Sequence, residues 1–326
     1  MNSCSSRRPS RIQRIQFIVG GEDSAMHVAS TSLPSVTGTN PRPGKGKVEW
    51  LRISPFLAIQ AGCLGVFFVG FSPVALAICA SLYLLRMFAI TAFFHRYFSH
   101  KSFRTSRLVQ LIFAVIGNAS AQRDALWWAA HHRRHHRDSD TPDDPHSPAR
   151  AGLLWSHVGW FTSREHFGTA FSTIPDLLRY PELRLLNRHD WIVPLSLCLA
   201  LYGLGGWLEA VAPGLGTNGA QLVVWGFCIS TTLLFHATFT INSLAHRYGT
   251  RRYDTTDSSR NNVWLALLTL GEGWHNNHHH YPHSVRQGFF AGEFDPTHAV
   301  LRFMERLGLV WGLRPVPDHV LTEGES

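Results

Sequence analysis

The apolar residues of this chain are gathered into two pairs of long runs. Ile53 to Val69 and Pro73 to Phe94 make the first pair, Ile192 to Ala212 and Gln221 to Ile241 the second. Each run has close to the ~20 mostly apolar residues that carry a helix across a bilayer. The connectors within each pair, Gly70 to Ser72 and Pro213 to Ala220, are short and uncharged. The pattern therefore predicts an all-α integral membrane protein with four transmembrane helices in two hairpins. The intervening and following segments, 95–191 and 242–312, are rich in His, Arg, Asp and Trp and are expected to form a helical cap on that stalk. On this reading the membrane domain covers 48–312, preceded by an arm at 1–47 and followed by a tail at 313–326.

Charge adds an orientation. A mean hydropathy of −0.04 would suit a soluble protein, but the average hides the segregation of apolar from basic segments. Nearly every Lys and Arg lies in the arm, in 96–190 or in the C-terminal region. The positive-inside rule then puts the N-terminus, the cap and the C-terminus in the cytoplasm. The formal net charge of +8 reads as topology and as attraction to anionic head groups; no nucleic-acid recognition motif accompanies it. Arg86 is the ionisable exception inside the second run, where a charge is a functional candidate. The expectation adopted for it is snorkelling, or pairing near the cytoplasmic helix end. His236, inside the fourth run, is expected to hydrogen-bond or to line a cavity.

Residues 1–47 are rich in Ser, Arg, Pro and Gly without an apolar run of signal-peptide length, which predicts a disordered cytoplasmic arm. Its opening, MNSCSSRRPSRIQRIQF, has the look of an organellar transit peptide, although Glu22 and Asp23 follow closely, and Met26 is a second candidate start. Four of the five cysteines sit in the apolar runs and the fifth is Cys4, so neither a disulfide framework nor a C-x-x-C metal pair is present.

Candidate chemistry lies in the histidines. Among twenty, nine stand out: His95 and His100; His132, His135 and His136; His246; and His275, His278 and His279. H-x-x-H-H occurs twice, and histidines at i, i+3 and i+4 share one helix face, where their ring nitrogens can converge on an ion. His95 and His100, five apart, would diverge by about 140° on an ideal α-helix and can chelate together only if the helix turns or ends there. Nine ligands exceed one ion, since zinc sites close at about four, so two redox metals with room for water or O₂ fit better. Imidazole suits Zn, Cu, Fe and Ni alike. Asn242, four residues before His246, could orient a metal-bound water. His131, His280 and His283 flank the boxes and read as surface or cap residues. His146 and His157 are intermediate, and His27, His166, His189, His298 and His319 read as structural or exposed.

The pieces LRMFAITAFFHRYFSHKSFRTSR, WWAAHHRRHH, DDPHS, WSHVGW, FTINSLAHRYGTRRYDTTDSSRNN and GEGWHNNHHHYP follow one another in order over roughly residues 50–312. Together they resemble the membrane-bound fatty acyl-CoA desaturases of the stearoyl-CoA type, in a bacterial-like form with three histidine boxes. That resemblance implies a cytosolic cap holding two Fe²⁺ ions on the nine named histidines, with Asn242 reaching one iron through water. It also implies a bent acyl tunnel at Gln122, Trp128 and Thr238. The implied reaction places a cis double bond, most commonly between carbons nine and ten, in a saturated acyl chain, with O₂ as co-substrate.

One departure bears on the acyl carrier. Animal members have Arg-Asp immediately before the second box, where they help hold CoA, whereas this chain has Ala130 and His131. Acyl-CoA and other activated or lipid-linked acyl groups are therefore all candidate substrates. The H-P-G-G signature of a fused cytochrome b5 is absent, which implies a separate electron carrier such as cytochrome b5, ferredoxin or rubredoxin with its reductase. Two alternatives compete. A di-iron lipid or alkane hydroxylase would share the centre but usually differs in box spacing. A metal transporter or store would place its ligands at the bilayer midplane, and these clusters lie outside the runs.

Overall fold

The computed structural model describes residues 46–325, so the arm expected over 1–47, with Cys4 and His27, lies almost wholly outside the described residues. Among the described residues, four helices are long and apolar enough to cross a membrane: α1 (Trp50–Val69), α2 (Pro73–Ser99), α6 (Ile192–Val211) and α7 (Gly219–His246). Local chemistry starts two of them. Ser72 Oγ accepts the Ala75 N–H at 3.0 Å with Pro73 in the first turn of α2, and Asn218 Oδ1 accepts the Gln221 N–H at 2.9 Å at the start of α7. Only 11% of the apolar window of α1 or of α6 is buried, against 44% for α2 and 61% for α7, so α2 and α7 form the inner pair. Helices α6 and α7 meet through glycines: a Cβ on Gly205 would lie 2.4 Å from the Asn218 carbonyl oxygen, so only glycine permits that approach.

The spans differ from the sequence expectation at one end. Both α2 and α7 continue past Phe94 and Ile241, to Ser99 and His246. Over Ala89–Ser99, α2 is a π-helix, with the His100 N–H bonded to the His95 carbonyl at 3.2 Å, five residues back. The inner pair thus carries the first histidines directly into the cap.

The cap is built from short elements. Strand β1 (Arg104–Thr105) pairs antiparallel with β2 (Val310–Trp311), and the helices are α3 (Arg107–Asn118), α4 (Ala125–Asp138), α5 (Pro181–Arg188), α8 (Val263–Leu268), α9 (His275–His280), α10 (Pro296–Arg306) and α11 (Asp318–Glu325). Asp124 caps α4, accepting the Leu126 N–H at 2.8 Å, and so sets the start of the helix that carries the second box. Buried aromatic and aliphatic residues, among them Phe93, Phe94, Phe98, Leu126, Ile174 and Leu301, join α2, α4 and α10 in one core. The chain beyond 312 packs with the rest: the Arg314 N–H bonds the Ser102 carbonyl at 2.9 Å, and the Tyr253 hydroxyl bonds the Val320 carbonyl at 2.9 Å.

Arg86 corrects the snorkelling expectation. It is 1% exposed, and its guanidinium donates to the Leu82 carbonyl at 3.1 Å, the Ala119 carbonyl at 3.0 Å, Thr231 Oγ1 at 2.7 Å and Ser230 Oγ at 2.8 Å. The reason is α3, which folds back onto α2 and presents its C-terminal carbonyl, the negative end of a helix dipole, to the cation. His236 takes the hydrogen-bonding option, with Nδ1 lying 3.0 Å from His157 Nε2.

Candidate metal centre

The nine histidines divide into two convergent groups. His95, His100, His132, His136 and His278 form one, and His135, His246, His275 and His279 the other. The π-turn resolves the geometry that an ideal α-helix forbids: the rings of His95 and His100 have centroids 4.9 Å apart. Helix α4 then splits its box between the groups, His132 and His136 one turn apart on one side and His135 on the other. Helix α9 does the same, sending His278 to the first group and His275 and His279 to the second.

The nitrogens fit a cation better than they fit one another. His278 Nε2 lies 2.9 Å from both His95 Nε2 and His136 Nε2. A ring nitrogen carries one proton or one lone pair, so hydrogen bonding cannot satisfy that triad, whereas a metal taking three lone pairs can. His100 Nε2 faces His132 Nε2 at 2.7 Å and His275 Nε2 faces His246 Nε2 at 3.1 Å. His279 Nε2 is buried without a hydrogen-bond partner. Burial first, and then the neighbouring imidazoles, hold His100, His132, His136, His275 and His278 well below the usual histidine range. They are neutral, which is the ligating form. These clusters could hold metal.

On the far side of several rings, carboxylates fix which nitrogen carries the proton. Glu272 takes His95 Nδ1, Asp144 takes His135 Nδ1 at 3.2 Å and Asp257 takes His279 Nδ1 at 2.5 Å. Asp140 stands 3.6 Å from His246 Nδ1 while accepting from Ser258 and Ser147. Burial alone would raise the Asp257 carboxyl, but the His279 hydrogen bond and the charge behind it pull it far below the usual range. Arg96, 1% exposed, ties the assembly to the core by pairing with Glu272 at 3.1 Å and Asp295 at 2.9 Å. Sequence reasoning did not single out these acids. Their signal was present in DSDTPDDPHS, DTTDSS and GEGW, close to the boxes, but an acid that reaches a ring through a loop has no fixed spacing to betray it.

A cavity between α2 and α7 leads to both groups. Met87, Ile90 and Thr91 line it from α2, Thr238, Ile241 and Asn242 from α7, and Trp128, His132, His135 and His275 from the metal side. Trp128 stacks on His132 at 5.0 Å, and Gln122 Nε2 donates to Thr238 Oγ1 at 3.1 Å. Gln122 stands between Ala121 and Arg123, at φ 57° and 65°. Two successive left-handed excursions by residues with side chains are strain of the kind found at functional sites. The structure therefore brings Trp128, Thr238 and Asn242 into one cavity with histidines of both groups, and Gln122 joins them through Thr238. His131 instead packs at a tilt against Trp127, with ring centroids 4.3 Å apart and Nδ1 3.0 Å from that residue's carbonyl. Burial lowers it to about 3. His166, expected to be structural, is buried in the same cluster, and His146 packs 4.3 Å from the His135 ring.

The family model described as "Fatty acid desaturase" matches residues 71–287. Among curated relatives, the sn-1 stearoyl-lipid 9-desaturase of Anabaena variabilis is 33% identical over 83% of this chain and 95% of its own length. The acyl-CoA 5-desaturase of Anemone leveillei is 35% identical over 84% of each chain. The hex-5-enoyl-[acyl-carrier protein] acetylenase of Moorena producens is 34% identical over 78% of this chain and 81% of its own. With its histidines paired into two groups at the end of four apolar spans, this chain belongs to the fatty acid desaturase family.

Proposed function

We propose that this desaturase introduces a cis double bond, at the ninth carbon, into a saturated acyl chain carried by a membrane lipid. The two histidine groups would hold two Fe²⁺ ions, His95, His100, His132, His136 and His278 binding one and His135, His246, His275 and His279 the other, with Asn242 acting on the second through water. Iron bound there would supply O₂ activation and attack on an unactivated C–H bond. The balance is one O₂, two electrons and two protons in, two hydrogens removed from the chain, and two waters out.

The observation that carries this reading is the cavity between α2 and α7, apolar along Met87, Ile90 and Ile241 and ending on both histidine groups. Its apolar walls exclude water and accept methylenes, and the Gln122–Thr238 hydrogen bond with Trp128 holds the chain bent beside the metals. Neutral imidazoles keep their lone pairs for the ions. The lipid carrier is favoured by Ala130 and His131, which are buried and uncharged and offer nothing ionic to the phosphates of CoA. The relatives act, by their names, on lipid, CoA and acyl-carrier-protein esters, so the family tolerates all three. Electrons would come from a separate carrier, cytochrome b5, ferredoxin or rubredoxin with its reductase, on the cytoplasmic side where the basic cap faces.

The test is gas chromatography with mass spectrometry of lipids from a desaturase-deficient host expressing the chain, with double-bond derivatisation. A new 9-monounsaturated acid, appearing first in intact glycerolipids, is expected. Hydroxylated chains, or products appearing first as CoA esters, would overturn the reaction or the carrier respectively.

A further inference from the structure

Arg133 stands inside the second histidine box, between His132 and His135, yet its side chain is spent on the end of the first. A guanidinium has five N–H donors in a fixed fork, and here all of them find acceptors. Nε donates to the Ser99 carbonyl at 3.0 Å and Nη2 to the Phe98 carbonyl at 2.7 Å. Nη1 donates to the Thr173 carbonyl at 3.0 Å, while Nη1 and Nη2 together grip the Asp176 carboxylate at 2.7 and 3.1 Å. None of these partners is a histidine.

The two carbonyls of the first box matter because of where they stand. Phe98 and Ser99 close the π-helix, and a helix leaves its last carbonyls without helical donors. The chain doubles back at this point: the His100 N–H bonds the His95 carbonyl at 3.2 Å, the Lys101 N–H that of Tyr97 at 3.0 Å and the Ser102 N–H that of Arg96 at 2.9 Å. These three bonds bypass Phe98 and Ser99. Arg133 fills both places, bringing a cation to the negative end of the helix. Lys101 takes φ 55°, a left-handed backbone that residues with side chains seldom adopt, and its Nζ pairs with the same Asp176 at 2.9 Å. One acid thus joins the fork of Arg133 to the residue that follows His100.

We infer that Arg133 is a positioning residue: by satisfying the Phe98 and Ser99 carbonyls it keeps the π-turn closed, so that His95 and His100 face one ion. An open turn would let the chain relax toward α-helical spacing, where rings five residues apart diverge by about 140°. Positive charge alone does not meet the need, since lysine offers a compact ammonium on a flexible stem and no planar fork. The consequence for metal binding rests on the five-histidine group holding one ion, as proposed; the consequence for the backbone does not.

The test uses the full-length chain in lipid nanodiscs, with Arg133→Lys and, as a milder change, Asp176→Asn. Hydrogen exchange is followed by mass spectrometry after metal removal. In Arg133→Lys the amides of residues 100–102 should exchange about tenfold faster, the factor that one charge-assisted hydrogen bond supplies, and those of residues 275–280 at the wild-type rate. Asp176→Asn should move the same amides by less. Metal-loaded Arg133→Lys, titrated with a chelator, should release one equivalent at about tenfold lower chelator activity. Adding Asp257→Asn, which acts on the four-histidine group, should then leave no equivalent at the wild-type position. Wild-type exchange at 100–102 in Arg133→Lys would overturn the role in the π-turn. Joint release of both ions, or one ion still held at the wild-type position in the double variant, would overturn the assignment to the five-histidine group. A wild-type chain that retains no metal would instead strike the metal reading itself, and the exchange rates would still decide the role of Arg133.

Discussion

Replacing Asp257 by Asn isolates one carboxylate behind one metal-facing ring. Asp257 Oδ2 receives the His279 Nδ1 proton at 2.5 Å, while Oδ1 receives the Ser259 N–H at 3.0 Å. Asparagine is nearly isosteric and keeps an acceptor, so the loop stays and the negative charge goes. Loss of such a partner behind a ligating histidine costs 10–100-fold in metal affinity, about 1.4–2.7 kcal/mol. His279 belongs to the four-histidine group, while the His95 and Glu272 pairing that supports the other group is untouched. The loss should therefore fall on one ion of two. Purified protein loaded with metal is titrated with a chelator, and the retained metal is counted by plasma mass spectrometry. The wild-type chain should release its ions over a narrow range, and Asp257→Asn should give up one equivalent at 10–100-fold lower chelator activity. Release of both ions together at the wild-type position would refute the idea that Asp257 tunes the second site through His279.

Four further outcomes follow from the same structure. His278→Ala removes the nitrogen shared by the triad of the five-histidine group and should abolish product formation in whole cells, with membrane insertion intact by protease protection; wild-type turnover would strike His278 from the ligands. Thr238→Trp fills the cavity beside Gln122 and should shift chain-length preference or bond position on chromatographic analysis, whereas an unchanged profile would remove Thr238 from the acyl path. Arg86→Ala strips four hydrogen bonds from a buried site and should destabilise the fold by about 2–5 kcal/mol in mixed-micelle denaturation; wild-type stability would mean that the guanidinium does not hold α3 in place. Acid should destabilise the cap, because burial keeps His131 at about 3 and His166 at about 4. The unfolded chain binds these protons first, so stability is fully present above pH 6.5, falls by up to about 1.4 kcal/mol per pH unit for each histidine, and levels off near the folded values. Apoprotein melting temperatures that stay flat from pH 6.5 to 5 would contradict this.

The sequence by itself determined the spans, the family and the nine histidines, because each rests on a local quantity. Apolar length fixes a membrane helix, and i, i+3, i+4 spacing fixes which rings share a face. Asn242 was legible from its four-residue spacing to His246, whereas Gln122, Trp128 and Thr238 were reached only through the family resemblance. What the sequence could not determine was how residues far apart in the chain would be apportioned. The split of one box between two histidine groups needs the angle of α4 to α9, and His95 joins His100 only because the chain tightens into a π-turn whose hydrogen bonds depend on the surrounding packing. The acids Glu272, Asp144, Asp257 and Asp140 meet their histidines through loops with no period. Arg86 shows the same limit from the other side: its position in an apolar run suggests a cation seeking water, but the carbonyl that satisfies it comes from Ala119, 33 residues away. Local patterns decide which elements form and what they carry; only their packing decides which partners a buried charge or ring nitrogen will find.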